Sequence, residues 1–295
     1  MAKTEFEKKI AEDLNNQKGT MMPKHASLLE RLLVRKTSCT NLHPNAEDEF
    51  TFDTVGPSYK IIGEYEEKFR RAIKLDQPVF DDALIVEKLY PKGYLLLNGH
   101  HRWAAAMRCQ IKTVPIKIVN LAQDSDIKKI IENSKHNRRV TLDLDEVVFR
   151  DDKDPYVEKV PGFPHVFKFS KRIKLGIPAL FYYLSKSGYD IWVYSAKYYS
   201  IDDIRRFFRH YSVHVDGIIT GTEKRKNNSE NAAAREKMIA DKYKHTIHID
   251  NDMILLTGDI DAKYKKYDID VPTDEWSRRA IEIIGEITSD VEKKQ

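Results

Sequence analysis

Two carboxylates two residues apart, Asp143 and Asp145, stand in the middle of the chain in RRVTLDLDEVVFRD. An apolar run leads straight into the first. Like charges this close repel, and burying either costs several kcal/mol unless it is paired or bound to a metal. Two further apolar runs end on polar side chains of related chemistry: YDIWVYSA at Ser195, and TIHIDND at Asp250 with Asp252 two residues on. Lys224 and Lys226 precede the helix-forming stretch that leads into the last run. Carboxylates gathered at one edge are a hard-oxygen set of the kind Mg²⁺ prefers. A serine and a lysine beside them could hold phosphoryl oxygens. The expected chemistry is phosphoryl transfer, with a carboxylate attacking phosphorus.

Such side chains need strands to carry them to one place. Apolar strand runs alternate with helical stretches through the second half: RVTLDLDEVVF, a helix over Lys174–Ser187, YDIWVYSA, the helix DDIRRFFRHY, VDGIIT, the Ala/Glu/Lys-rich SENAAAREKMIADKYK, and TIHIDND. That alternation predicts an α/β fold with a parallel sheet, whose ligands gather at the carboxyl ends of its strands. Asp143, Ser195 and Asp250 all fall at such ends. The first half reads as a polar helix over Glu5–Leu14, the amphipathic SLLERLLVRK, a turn-rich LHPNAEDEF, the helix GEYEEKFRRAIKL, the strand DALIVEKLY, then GYLLLNGHHRWAAAMRCQ as strand, tight turn and helix. VPIKIVN adds a strand, and SDIKKIIENSKHN a helix joining the halves.

Composition bounds the rest. With 295 residues the chain has room for two domains. A net charge of +4, from 50 basic and 46 acidic residues, is too small to mark a nucleic-acid-binding protein, and DNA binding is not favoured. Local clusters at Arg205–Arg209 and Lys224–Lys226 are the ordinary pattern of solvated faces. Cys39 and Cys109 form no CxxC or zinc spacing, so a reducing, cytoplasmic setting is expected. No apolar run approaches the ~18 residues of a membrane span, and the charged MAKTEFEKKIAEDLNNQKG is not a secretory signal.

Taken in order, DLDEVV, VYSA, KRKNNSE and HIDND resemble the four motifs of the haloacid dehalogenase (HAD) superfamily of phosphohydrolases, over roughly 138–257. One Asp-x-Asp occurs by chance in many loops; four motifs in order at strand ends are specific. The resemblance implies a Rossmann-like parallel sheet and an aspartyl-phosphate mechanism. It makes Asp143 the nucleophile and Asp145 the general acid and then base. Ser195 and a lysine would bind phosphate, and Asp143, Asp145 (through its carbonyl), Asp250 and Asp252 would hold Mg²⁺. Lys226 is the expected lysine, with Lys224 and Lys237 as alternatives. The sequence departs from the pattern in Glu146, which precedes Val147, and in the Asp-Asn-Asp of the fourth motif. Only about two dozen residues separate Phe149 from the helix at Lys174. They read as loop with three prolines, too little for a folded cap, so a minimal cap and an open site are expected. A large phosphorylated substrate suits such a site, or another domain acts as its lid.

In the first half, Asn98-Gly99 turns tightly into a helix at His101. Gly99 permits close backbone approach, and the helix start with Arg102 makes an anion site. The stretch Gly99-His100-His101-Arg102 with its Ala-rich helix resembles the ParB/sulfiredoxin-like superfamily over about Leu42–Asn120. That resemblance implies a smaller α+β domain whose Gly99, His100, His101 and Arg102 bind a nucleotide (ATP, ADP or CTP) or another anion. His100 stands where sulfiredoxins have a cysteine, which argues against that chemistry. The absence of a following helix-turn-helix domain argues against DNA partitioning.

The expected organisation is an arm over 1–40, a ParB/sulfiredoxin-like domain over 41–122, a linker helix over 123–137 and a HAD-like phosphatase over 138–295. The expected partner is a phosphorylated small molecule, protein or nucleic-acid end, with no membrane. One rival is a small-molecule kinase or nucleotide-binding regulator in the first domain, with Glu47 or Glu49 as base. Another is a nucleic-acid-end phosphatase with Arg205, Arg206, Arg209 and the Lys224–Lys226 loop as its strand-binding surface.

Overall fold

The computed structural model describes residues 4–159, 171–222, 230–258 and 264–293. The chain divides into two compact units, one reaching to Leu121 and including Tyr198–Ser200, the other holding most of the remainder from Ala122.

Unit 1 contains α1 (Glu5–Gln17), β1 (Met22–Pro23), α2 (Leu28–Leu32), β2 (Arg35–Ser38), β3 (Leu42–Pro44), α3 (Tyr59–Lys74), β4 (Leu84–Tyr90), β5 (Tyr94–Asn98), α4 (His100–Arg108) and β6 (Thr113–Ile118). Its mixed sheet has the order β2-β6-β4-β5-β3, with β1 added to β4. Helix α3 buries Ile62, Glu66, Phe69 and Ala72, three or four residues apart, so one stripe faces inward. Helix α4 buries Ala104, Ala105 and Ala106 completely, and these small side chains let neighbouring backbone come close. SLLERLLVRK is helical only through Leu32. Its last residues instead pair with β6, Arg35 opposite Ile116.

Unit 2 contains α5 (Asp124–Asn133), β7 (Arg138–Asp143), β8 (Phe149–Asp151), β9 (Lys171–Ile173), α6 (Ile177–Lys186), β10 (Tyr189–Ser195), α7 (Ile201–His210), β11 (Gly217–Thr220), α8 (Glu230–Lys242), β12 (His245–Ile249), β13 (Met253–Thr257), β14 (Lys265–Asp268) and α9 (Trp276–Lys293). The sheet order is β11-β10-β7-β12-β13-β14, with β11, β10, β7 and β12 mutually parallel and the last two strands antiparallel. The mixed α/β class with parallel strands is the one expected. Strand β10 is buried at six of seven positions, as a strand covered on both faces must be. The helix expected to link the halves, α5, groups with unit 2, where Arg235 pairs with Asp124 at 2.6 Å.

Three expectations are corrected here. The run RVTLDLDEVVF is not one strand: β7 stops at Asp143, a five-residue π-helical turn spans Leu144–Val148, and β8 follows. The cause is local, because the Asp143 carboxylate captures the amides that would otherwise extend the strand. The expected loop after Phe149 includes strand β9, which pairs antiparallel with β8. Helix α6 begins at Ile177 rather than Lys174, after Gly176 in a left-handed conformation (φ 82°) and with Pro178 in its first turn.

Candidate functional site

The register of unit 2 assembles one site. Asp143 ends the central strand and lies opposite Tyr194 of β10, one residue before Ser195. On the other side Leu142 lies opposite Ile249 of β12, so Asp143 and Asp250 leave adjacent parallel strands side by side. Successive strands run out from β7 through β10 to β11, and the chain then returns to β12 across β7. This reversal is the switch point at which open α/β sheets hold ligands.

Hydrogen bonds hold the acids there. Asp143 Oδ1 accepts the amides of Asp145 at 2.7 Å and Glu146 at 2.9 Å. Asp145 Oδ2 accepts the Ser195 hydroxyl at 2.6 Å, and its Oδ1 accepts Lys197 Nζ at 2.8 Å. Ser195 is fully buried and also accepts the Lys197 amide at 3.0 Å. Its hydrogen bond to Asp145, with the nearby acids, holds the Lys197 ammonium above the usual lysine range. Lys197 was not foreseen. It lies two residues beyond a strand, in a chain with 50 basic residues, and spacing alone gave no signal.

The other expected residues divide. Asp250 is half-buried, and its amide donates to the Met253 carbonyl in the tight turn between β12 and β13. Asp252 is exposed in that turn, where its carbonyl accepts the amide of Ile269. Among the described residues no three His, Cys, Asp or Glu side chains are grouped to hold a metal. Mg²⁺ needs less: one or two carboxylates, a carbonyl and water suffice. Asp143, Asp250 and the Asp145 carbonyl fit that donor chemistry. Lys224 and Lys226 lie outside the described residues, and Lys237 is exposed on α8. Arg205 and Arg209 are exposed on α7.

A second polar cluster supports the site from the β8–β9 side. The Lys174 side chain, 2% exposed, places Nζ 3.6 Å from the Trp276 ring centroid and 3.3 Å from Asn251 Oδ1. Burial, with neighbouring Arg150, pushes this ammonium down to about 7.

Unit 1 has a separate cleft of about 360 Å³ at the start of α4. Its lining includes Tyr65, Lys68, Phe80, Gly99, His101 and Arg102. Gly99 has φ 100°, and a Cβ there would meet Leu84 Cδ2 at 2.5 Å, so only glycine fits. The guanidinium of Arg102 donates to the Asp82 carbonyl at 3.0 Å, and Lys68 pairs with Asp81. His101 Nε2 accepts the Ser58 amide at 3.2 Å. The His100 imidazole, which also lines the cleft, is buried between the Asn45 amide and the Asp48 carboxylate, each at 3.2 Å. Glu47 is half-buried and Glu49 exposed, on the segment that His100 anchors.

Residues 74–134 match the family model of the ParB N-terminal domain. The chain therefore carries a ParB-like domain, and the match spans β4, β5, the Gly99 turn, α4, β6 and α5, ending before Asp143. No curated protein matches the chain. Among the described residues no helix is long and apolar enough to cross a membrane.

Proposed function

We propose that unit 2 is a HAD-type phosphomonoester hydrolase. The observation that carries this is the meeting of Asp143, Asp145, Ser195 and Lys197 at the carboxyl ends of two adjacent parallel strands, with Asp250 on the third. The two backbone amides on Asp143 Oδ1 orient its carboxylate, leaving Oδ2 to attack phosphorus. As the new O–P bond forms, the bond to the leaving oxygen breaks, and Asp145, which takes up a proton once Ser195 and Lys197 turn away from it to the phosphoryl oxygens, delivers that proton to the leaving oxygen. The aspartyl-phosphate is then cleaved by water, whose proton returns to Asp145. Ser195 and Lys197 hold Asp145 in the resting site and are the donors best placed to turn to phosphoryl oxygens when substrate arrives. A bound Mg²⁺ would neutralise charge on the transferring group.

The direct test is phosphate release from an aryl phosphate with Mg²⁺. Asp143→Asn should lose at least about a thousandfold, as loss of a covalent nucleophile does. Metal-dependent release that survives in this variant would sink the reading.

The cleft of unit 1 supports a nucleotide or phosphorylated ligand as a second function. The amides of a helix start favour anions, Arg102 and Lys68 line the cleft together with Asp81 and Asp82, and Tyr65 and Phe80 offer ring faces. Calorimetric titration with ATP, ADP and CTP, on wild type and Arg102→Ala, tests it. Binding should be seen with one or more of the three and weaken in the variant.

A further inference from the structure

Asn251 separates the two acids of the last motif and is exposed, yet each of its polar groups is engaged. Its Nδ2 donates to the Glu146 carbonyl at 2.8 Å. Its Oδ1 accepts Arg150 Nη2 at 2.9 Å and Lys174 Nζ at 3.3 Å. Its carbonyl accepts the indole N–H of Trp276, 3% exposed, at 2.6 Å, and its amide donates to Asp250 Oδ1 at 2.7 Å. The Glu146 carbonyl also accepts Arg150 Nη1 at 2.7 Å. One side chain thus ties the turn after Asp143 to the turn after Asp250. An amide does both jobs, whereas a carboxylate could accept from the two cations but not donate to the carbonyl.

We propose that Asn251 is the positioning residue that holds Asp250 beside Asp143 and so sets the affinity of this carboxylate pair for a divalent cation. This rests on the hydrolase reading above. Lys174, Arg150 and Trp276 fix Asn251 in turn. Groups that orient metal ligands typically change metal affinity by 10–100-fold when removed.

The experiment is calorimetric titration of the full chain with Mg²⁺ in the absence of substrate, alongside the Mg²⁺ dependence of aryl phosphate release. Asn251→Ala should raise the Mg²⁺ dissociation constant roughly 10- to 100-fold, toward the value for Asp250→Asn. Trp276→Phe keeps the ring and deletes one donor; it should raise the constant several-fold with its circular dichroism unchanged. An unchanged constant in a folded Asn251→Ala protein overturns the proposal while leaving the hydrolase intact. Should Asn251→Ala not fold, an unchanged constant in Trp276→Phe overturns it equally. A wild type that neither binds Mg²⁺ nor releases phosphate removes the hydrolase reading and this proposal with it.

Discussion

At the scale of single residues, the sequence raised a question of charge: what makes two neighbouring acids tolerable. A metal was the expected answer, yet protein groups supply much of it. Two amides serve Asp143, while a hydroxyl and an ammonium serve Asp145. Lys174 shows the opposite condition, a cation buried with one long hydrogen bond and a ring face. Its lowered pKa has a consequence for stability. The unfolded chain holds a proton on this lysine up to about pH 10.4, the folded chain only to about 7, so the folded state gains stability as pH rises between those values. Lys174→Met should therefore raise the unfolding midpoint at pH 6, by on the order of a few kcal/mol of stability, with the gain shrinking toward pH 10. Thermal melts of both proteins across that range check the sign. A gain that grew with pH would show that the Trp276 face and Asn251 outweigh desolvation.

At the scale of elements, what was legible depended on whether local pattern or tertiary pairing decides the structure. The strand end at Ser195 and the helices α7 and α8 follow from periodicity and propensity and lie close to where they were read; the last strand stops at Ile249, before Asp250, α3 starts at Tyr59 rather than Gly63, and α5 ends at Asn133 rather than Asn137. The turn at Leu144–Val148 was missed because Leu144, Val147 and Val148 continue the apolar, β-branched pattern of the strand before it. Only the side chain of Asp143 diverts them, and π-helical turns of this kind cluster at functional sites. Strand β9 was missed because its three residues, Lys171–Ile173, are defined by pairing with β8 and carry no pattern of their own. Helix α9, with Trp276, Ala280, Ile283, Ile287 and Val291 buried at helical spacing, was legible and went unread. The Gly99 turn makes the element-scale prediction. Gly99→Ala adds a Cβ at positive φ against Leu84 and close to the Arg102 guanidinium. It should cost about 1–3 kcal/mol of stability and weaken nucleotide binding more than a surface Gly→Ala such as Gly63→Ala, whose Cβ would meet nothing within 4 Å. Denaturant melts and calorimetry on the two variants separate the effects.

At the scale of the whole molecule, two features stand together: each unit has its own buried core, and each has its own candidate site. Unit 1 closes around Phe50, Ile62, Phe69, Leu84 and Trp103, and unit 2 around Val140, Leu142, Phe181, Ile191 and Trp192. The net charge of +4 gives no dominant field, so neither site is to be explained by bulk attraction to a polyanion. Chemistry local to each site then predicts a crossed result. Asp143→Asn should abolish phosphate release and leave nucleotide affinity within about twofold, while Arg102→Ala should weaken the nucleotide at least about tenfold and leave turnover of a small aryl phosphate near wild type. If saturating nucleotide instead changes Mg²⁺ affinity in unit 2, linkage requires Mg²⁺ to change nucleotide affinity by the same factor. Measuring both constants in the two titrations distinguishes two independent sites from an arrangement in which the ParB-like unit governs the proposed hydrolase.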